Sequence, residues 1–217
     1  LVSHHGISPR ARGITFTKHE IRAISIAIYI LTLVFAFAFS GSSFLGQRFN
    51  PIGFLFALPI SLVAVLTAFA LHELGHKLVS NYFGFPAGFS YSKQGLIFAL
   101  IISLLFGVAV GLPGAVIIYG RPDKRENGLI SAAGPLTNLL VGILFIIPGI
   151  VTLILGLRLI GTGLVFVALI NFFIGTFNMI PFMPFDGAKI WRWNPFIYLL
   201  LLFFLAPPVV FYFIGGF

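Results

Sequence analysis

A run of apolar residues from Ile52 to Leu71, long enough to cross a bilayer, ends in His72-Glu73-Leu74-Gly75-His76. Charge in such a place is costly, because hydrocarbon solvates neither ions nor unpaired polar groups, so it marks a functional site and demands a partner. The spacing suggests the partner. Residues four apart on a helix share one face, so His72 and His76 can offer imidazole nitrogens to one Zn²⁺. Glu73, on the adjacent face, can reach a water on that metal. Two histidines packed quietly in a bundle would be the plainer alternative.

Composition decides the environment. Hydrophobic residues make up 59% of the 217, and charged residues only 8%. A soluble domain of this size has too little interior to hide that much apolar surface. The expectation is an all-α polytopic membrane bundle of about five to six transmembrane helices with a re-entrant helix/strand element. Residues 1–20 read as a cytoplasmic N-terminal segment, and 21–217 as a single transmembrane domain with its core at 52–190. The chain has no cysteine, which excludes disulfides and thiolate metal sites. The net charge of +8 does not signal nucleic acid, because the basic residues gather in short loops between apolar spans.

Five spans are expected: about Ile21 to Ser40, Ile52 to Tyr82, Leu129 to Leu155, Gly163 to Met179 and Pro195 to Ile214. Pro207-Pro208 is expected to break or kink the last. With the N-terminus in the cytoplasm, that side holds Arg10, Arg12, Lys18, Arg22, Lys77, Lys93, Arg121, Lys124, Arg125, Lys189 and Arg192. The outer side holds Arg48 and Arg158. The positive-inside rule favours this orientation. His4 and His5 are too isolated to read as ligands.

The apolar stretch from Leu96 to Tyr119 must then enter and return on one side. A full crossing would put His76 and Asp186 at opposite faces. Leu96 to Phe106 as a helix reaches about 16 Å. Gly111-Leu112-Pro113-Gly114 supplies a turn, and an extended Ala115 to Tyr119 returns a similar distance. Non-helical backbone survives at that depth only against protein or a wet cavity.

A catalytic zinc usually has three protein ligands. Among the five acidic residues (Glu20, Glu73, Asp123, Glu126 and Asp186), Asp186 is the remaining intramembrane candidate. Pro181 and Pro184 stop the preceding helix, and Gly187 permits an unusual backbone angle. Zn²⁺ with two neutral histidines, Asp186 and ionised Glu73 sums to zero, which a low-dielectric site favours. Asp186 could instead cap a helix or pair with Lys189.

HExxH at residues 72–76, followed by Asn178-Met179-Ile180-Pro181-Phe182-Met183-Pro184-Phe185-Asp186-Gly187, resembles the site-2 protease family of intramembrane metalloproteases in a minimal form. Gly134-Pro135-Leu136-Thr137-Asn138 is similar to that family's GPxxN element. The resemblance covers about residues 52–190 and lacks PDZ-like and CBS-like domains. The apolar stretch after span two is longer than the family core needs. The resemblance implies one zinc on His72, His76 and Asp186, with Glu73 as the catalytic base. It implies transmembrane protein substrates within the lipid bilayer, and Asn178 as a residue that holds substrate or orients the site. Asn138 is a second substrate-binding candidate, although Gly134, Asn138 and Gly142 also form a small-and-polar stripe suited to helix packing. Asn171 reads as a packing hydrogen bond. The expected location is the cell membrane, with the active site near the cytoplasmic face. A transporter or ion-binding protein is the alternative, and it predicts repeated halves that the sequence lacks. A catalytically silent scaffold would lack a ligand or the base, and all four are present.

Overall fold

The computed structural model describes residues 15–41, 49–106 and 114–215. His4, His5, Arg10, Arg12, Arg48 and most of the expected turn at 111–114 lie outside these.

Helix α1 (Lys18–Phe39) starts at a capping box. The Thr17 hydroxyl accepts from the Glu20 N–H, and the Glu20 carboxylate accepts from the Thr17 N–H. Asn50 and Pro51 start α2 (Pro51–Val65), which passes through a π-helical turn (Leu66–Ala70) into α3 (Leu71–Tyr82). Gly84, at φ +83°, closes α3 with the Phe85 N–H bonded to the Ser80 carbonyl, and turns the chain toward a strand. Strand β1 (Ala87–Tyr91), helix α4 (Lys93–Phe106) and strand β2 (Gly114–Ile118) follow. The strands pair antiparallel with Phe89 opposite Val116 and Tyr91 opposite Gly114. The α4 excursion therefore leaves and returns at one cross-strand pair. Helix α5 (Lys124–Ile154) opens on a second capping box, Asp123 with Glu126. Then come α6 (Arg158–Asn178), the short α7 (Asp186–Trp193) and α8 (Pro195–Phe213).

Among the described residues, Lys18–Phe39, Pro51–Tyr82, Lys124–Ile154, Arg158–Asn178 and Pro195–Phe213 are long and apolar enough to cross a membrane. The chain is an all-α polytopic bundle with a small two-stranded ribbon. Leu55, Phe56, Leu144, Ile147, Phe203 and Phe211 project outward from α2, α5 and α8. Apolar surface on this scale belongs against lipid.

Two corrections concern elements. The expected break at Pro207-Pro208 is absent, since α8 continues through both prolines. Spanning helices tolerate proline because neighbouring groups and local adjustment satisfy the freed carbonyls. Lys77, counted above with the loop cations, is buried within α3 and paired with Glu20.

Packing explains where the site falls. Ala23 and Ala27 on α1 let that helix close on Ala64 and Ala68. Leu31, Phe35, Val65, Phe69, Phe89, Leu96, Val167 and Ile170 complete the buried part of this first cluster. A second joins Leu139, Ala168, Phe172, Ile190, Leu201 and Leu205 from α5 to α8. α6 contributes to both, and the histidines of α3 meet Asn138 and Ile130 of α5 and Asp186 of α7.

Candidate metal centre

His72 and His76 lie one turn apart on α3, both buried, with ring planes at 83°. The Nδ1 atom of each is committed. That of His72 donates to Asn138 Oδ1 at 2.5 Å, and that of His76 to the Ile130 carbonyl at 2.7 Å. These bonds fix each tautomer and leave both Nε2 lone pairs facing inward. The two Nε2 atoms are 3.0 Å apart. Asp186 Oδ2 lies 3.4 Å from His72 Nε2 and 3.0 Å from His76 Nε2.

Ligand atoms at about 2.0–2.2 Å from a tetrahedral zinc stand roughly 3.3–3.5 Å apart. Two imidazole nitrogens and one carboxylate oxygen in this arrangement fit such an ion with little adjustment. Among the described residues they form the one cluster of metal-ligating side chains. Gly134 supports the same conclusion. A Cβ there would press on the Nε2 atoms of both histidines, so the glycine keeps open the volume beside the three donors.

Asp186 reaches this point because the segment after Asn178 leaves the helix, and α7 begins at Asp186 itself. Gly187 packs its backbone against the Met179 carbonyl, where a Cβ has no room. The second oxygen of Asp186 pairs with Lys189 Nζ at 3.3 Å. Helix start, lysine pair and cluster of donors thus coexist at one carboxylate.

Glu73 is buried beside the cluster, and its Oε2 accepts the Val116 N–H at 3.0 Å. A cavity of about 440 Å³ is lined by His72, Glu73, His76, Asn178, Asp186, Lys189 and the whole of β2. Asn178 lines that cavity with its amide nitrogen bonded to the Ile174 carbonyl. Asn138 is fully buried. Its oxygen takes His72, and its nitrogen donates to the Ala68 carbonyl at 2.8 Å and to Asn171 Oδ1 at 3.3 Å. Asn171 in turn donates to Thr67 Oγ1 at 3.0 Å and the Val167 carbonyl at 2.9 Å. Sequence reasoning missed the bond from Asn138 to His72, the Ile130 carbonyl on His76, and the strand donor on Glu73. For Asn138 the signal was its place in the GPxxN element. For the two backbone groups there was none.

Comparison with known proteins agrees with this chemistry. The chain is 36% identical over 193 residues to "Putative zinc metalloprotease MJ0611" of Methanocaldococcus jannaschii, covering 86% of this chain and 90% of that protein. It is 28% identical over 174 residues to "Zinc metalloprotease MJ0392" of the same organism, covering 80% and 43%. With "Putative zinc metalloprotease YwhC" of Bacillus subtilis it shares 26% over 153 residues, covering 61% and 68%. No family model and no solved structure matches the chain.

Proposed function

Since the chain belongs to the family of zinc metalloproteases that includes MJ0611, we propose that it is an intramembrane metalloprotease of the site-2 type. It would hydrolyse peptide bonds in or beside the transmembrane segments of other proteins. One observation carries the reading: His72 Nε2, His76 Nε2 and Asp186 Oδ2 converge in a bundle of membrane-length helices, with Glu73 on the wall of the same cavity.

His72, His76 and Asp186 would hold one zinc per chain. When bound, zinc lowers the pKa of a water to about 7 and polarises the scissile carbonyl. Glu73 takes the proton of the attacking water and passes it to the leaving amine. Asn138 and the Ile130 carbonyl hold the imidazoles in the ligating tautomer. Lys189 occupies the other oxygen of Asp186, which favours one-oxygen ligation.

A substrate helix hides its carbonyls in internal hydrogen bonds, so it must be unwound before cleavage. β2 offers a template. One edge is paired with β1, and the other lines the cavity, with the Val116 N–H turned toward Glu73. An extended substrate segment added to that edge would lie along the donors. Asn178, which lines the same cavity, would hold its backbone.

The test uses purified, zinc-loaded protein with model transmembrane substrates, and the products are mapped by mass spectrometry. Cleavage within the apolar segment, abolished by a chelator and restored by zinc, is the expected outcome. Glu73→Gln should retain zinc and lose about 10²–10⁴ in rate. Wild-type turnover in Glu73→Gln, or cleavage that survives chelation, overturns the proposal.

A further inference from the structure

Glu20 lies far from the three metal-ligating residues in sequence, and no step above uses it, yet it is only 5% exposed. Its Oε2 closes the α1 capping box. Its Oε1 accepts from both the Lys77 ammonium and the Phe89 N–H, the latter at 3.1 Å. Lys77 is 3% exposed, and its ammonium stands 4.2 Å from the centre of the Phe16 ring. Capping alone does not require this. The equivalent box at α5, Asp123 with Glu126, works at the surface without a buried cation. Neither Glu20 nor Lys77 lines the metal cavity. Burying two charges in such surroundings is expensive, so the pair needs a reason.

The ribbon supplies one. Residues directly opposite in an antiparallel pair either exchange both backbone bonds or turn both N–H groups outward. Phe89 and Val116 are opposite, and both N–H groups turn outward. Each meets a buried carboxylate, Glu20 on the β1 side and Glu73 on the β2 side. The ribbon is thus gripped across its width at a single cross-strand pair. Glu73 and Lys77 are four apart on α3, so both grips refer back to the helix that carries the histidines: one directly, one through Lys77 and Glu20. We infer that Glu20 is a positioning residue for hydrolysis: by holding the Phe89 N–H it sets the ribbon, and through Val116 it sets the Glu73 carboxylate. The inference rests on the proposed role of Glu73 as base.

Removing one charge would strand the other, so both are changed together. Glu20→Gln with Lys77→Met keeps an acceptor for the Phe89 N–H. Glu20→Leu with Lys77→Met removes it, and neither pair leaves a buried charge. A third protein, Glu20→Lys with Lys77→Glu, restores the ion pair but puts no acceptor at position 20. Zinc content and thermal midpoint monitor the fold. Amide exchange over residues 87–91 and 114–118 reads the ribbon without any catalysis, and kcat and KM read its consequence.

The Gln/Met protein should match wild type in exchange and keep its kcat. The Leu/Met and swapped proteins should bind zinc normally and exchange about tenfold faster in both strands, the scale of one net hydrogen bond. Their kcat should fall about 10²-fold, as expected for a displaced base, with a smaller change in KM. Wild-type exchange and kcat in the swapped protein would overturn the inference, even if the Leu/Met protein failed to fold. Equal losses in the Gln/Met and swapped proteins would overturn it too. Absence of turnover in wild type would count against the protease reading alone, because the exchange comparison needs no activity.

Discussion

At the scale of single residues, each of the five carboxylates has its own assignment. Asp123 and Glu126 cap α5, Glu20 caps α1 and ties it to Lys77 and Phe89, and Glu73 and Asp186 face the cavity. A chain with so few acids in so apolar a setting keeps those that are paired or used. Asn138 is the neutral counterpart. Asn138→Leu is nearly isosteric, and it leaves the His72 Nδ1–H without its acceptor and frees the ring to turn. Zinc affinity should fall about 10–100-fold, measured by competition with a chromophoric chelator. Unchanged affinity would mean that packing alone orients His72. Gly134→Ala should be more severe, because its methyl would press on the Nε2 atoms of both histidines. Zinc content of the purified variant checks this, with loss as the expected outcome. The histidines, Glu73 and Asp186 were legible in the sequence because helical spacing and the cost of intramembrane charge are local facts. Lys77 was not. A count of cations by loop cannot see that a carboxylate from 57 residues earlier covers it.

At the scale of elements, the wide turn at Leu66–Ala70 lies directly before the histidines. Its Thr67 and Ala68 take up the hydrogen bonds of Asn171 and Asn138. π-turns recur at functional sites for such reasons. No residue pattern announces this one, since Leu66, Thr67, Ala68, Phe69 and Ala70 would sit as readily in an α-helix. β1 was also unread. Ala87, Gly88, Phe89, Ser90 and Tyr91 are too few to establish a period, and the strand exists because β2 returns beside it. The expected strand at Ala115 to Tyr119 was legible from the distance the chain must return to the side it left, and it is displaced by one position, Gly114–Ile118. Gly187 shows why Asp-Gly stands at the start of α7. Gly187→Ala has to push α7 away from the Met179 carbonyl, taking Asp186 with it. It should lower the thermal midpoint by the equivalent of about 1–3 kcal/mol, and weaken zinc binding while leaving His72 and His76 in place. Wild-type zinc affinity in this variant would mean that Asp186 is dispensable as a ligand.

At the scale of the whole molecule, the site requires certain helix ends to share one side. The His76 bond to the Ile130 carbonyl sets the end of the second span beside the start of the third. The contacts of Asp186 with both histidines bring the segment after the fourth span to the same place. The chain between Phe83 and Asp123 therefore returns to the side it left, as the closure of α4 between Tyr91 and Gly114 also requires. The basic residues favour the cytoplasm as that side, and moving Lys77 into the core leaves their asymmetry intact. The loop with Arg121, Lys124 and Arg125 should be cytoplasmic, with the metal centre near that surface, where water can enter and peptide products can leave. The chain has no cysteine, so one introduced thiol can be read without background. Asn127→Cys places it at a half-exposed position without altering the charge pattern. Protection from a membrane-impermeant thiol reagent in intact cells, and labelling once they are opened, is the expected result. Labelling in intact cells would place this loop outside and invert the orientation. Because the helix ends are tied by direct side-chain bonds, the metal centre would move with it to the outer face.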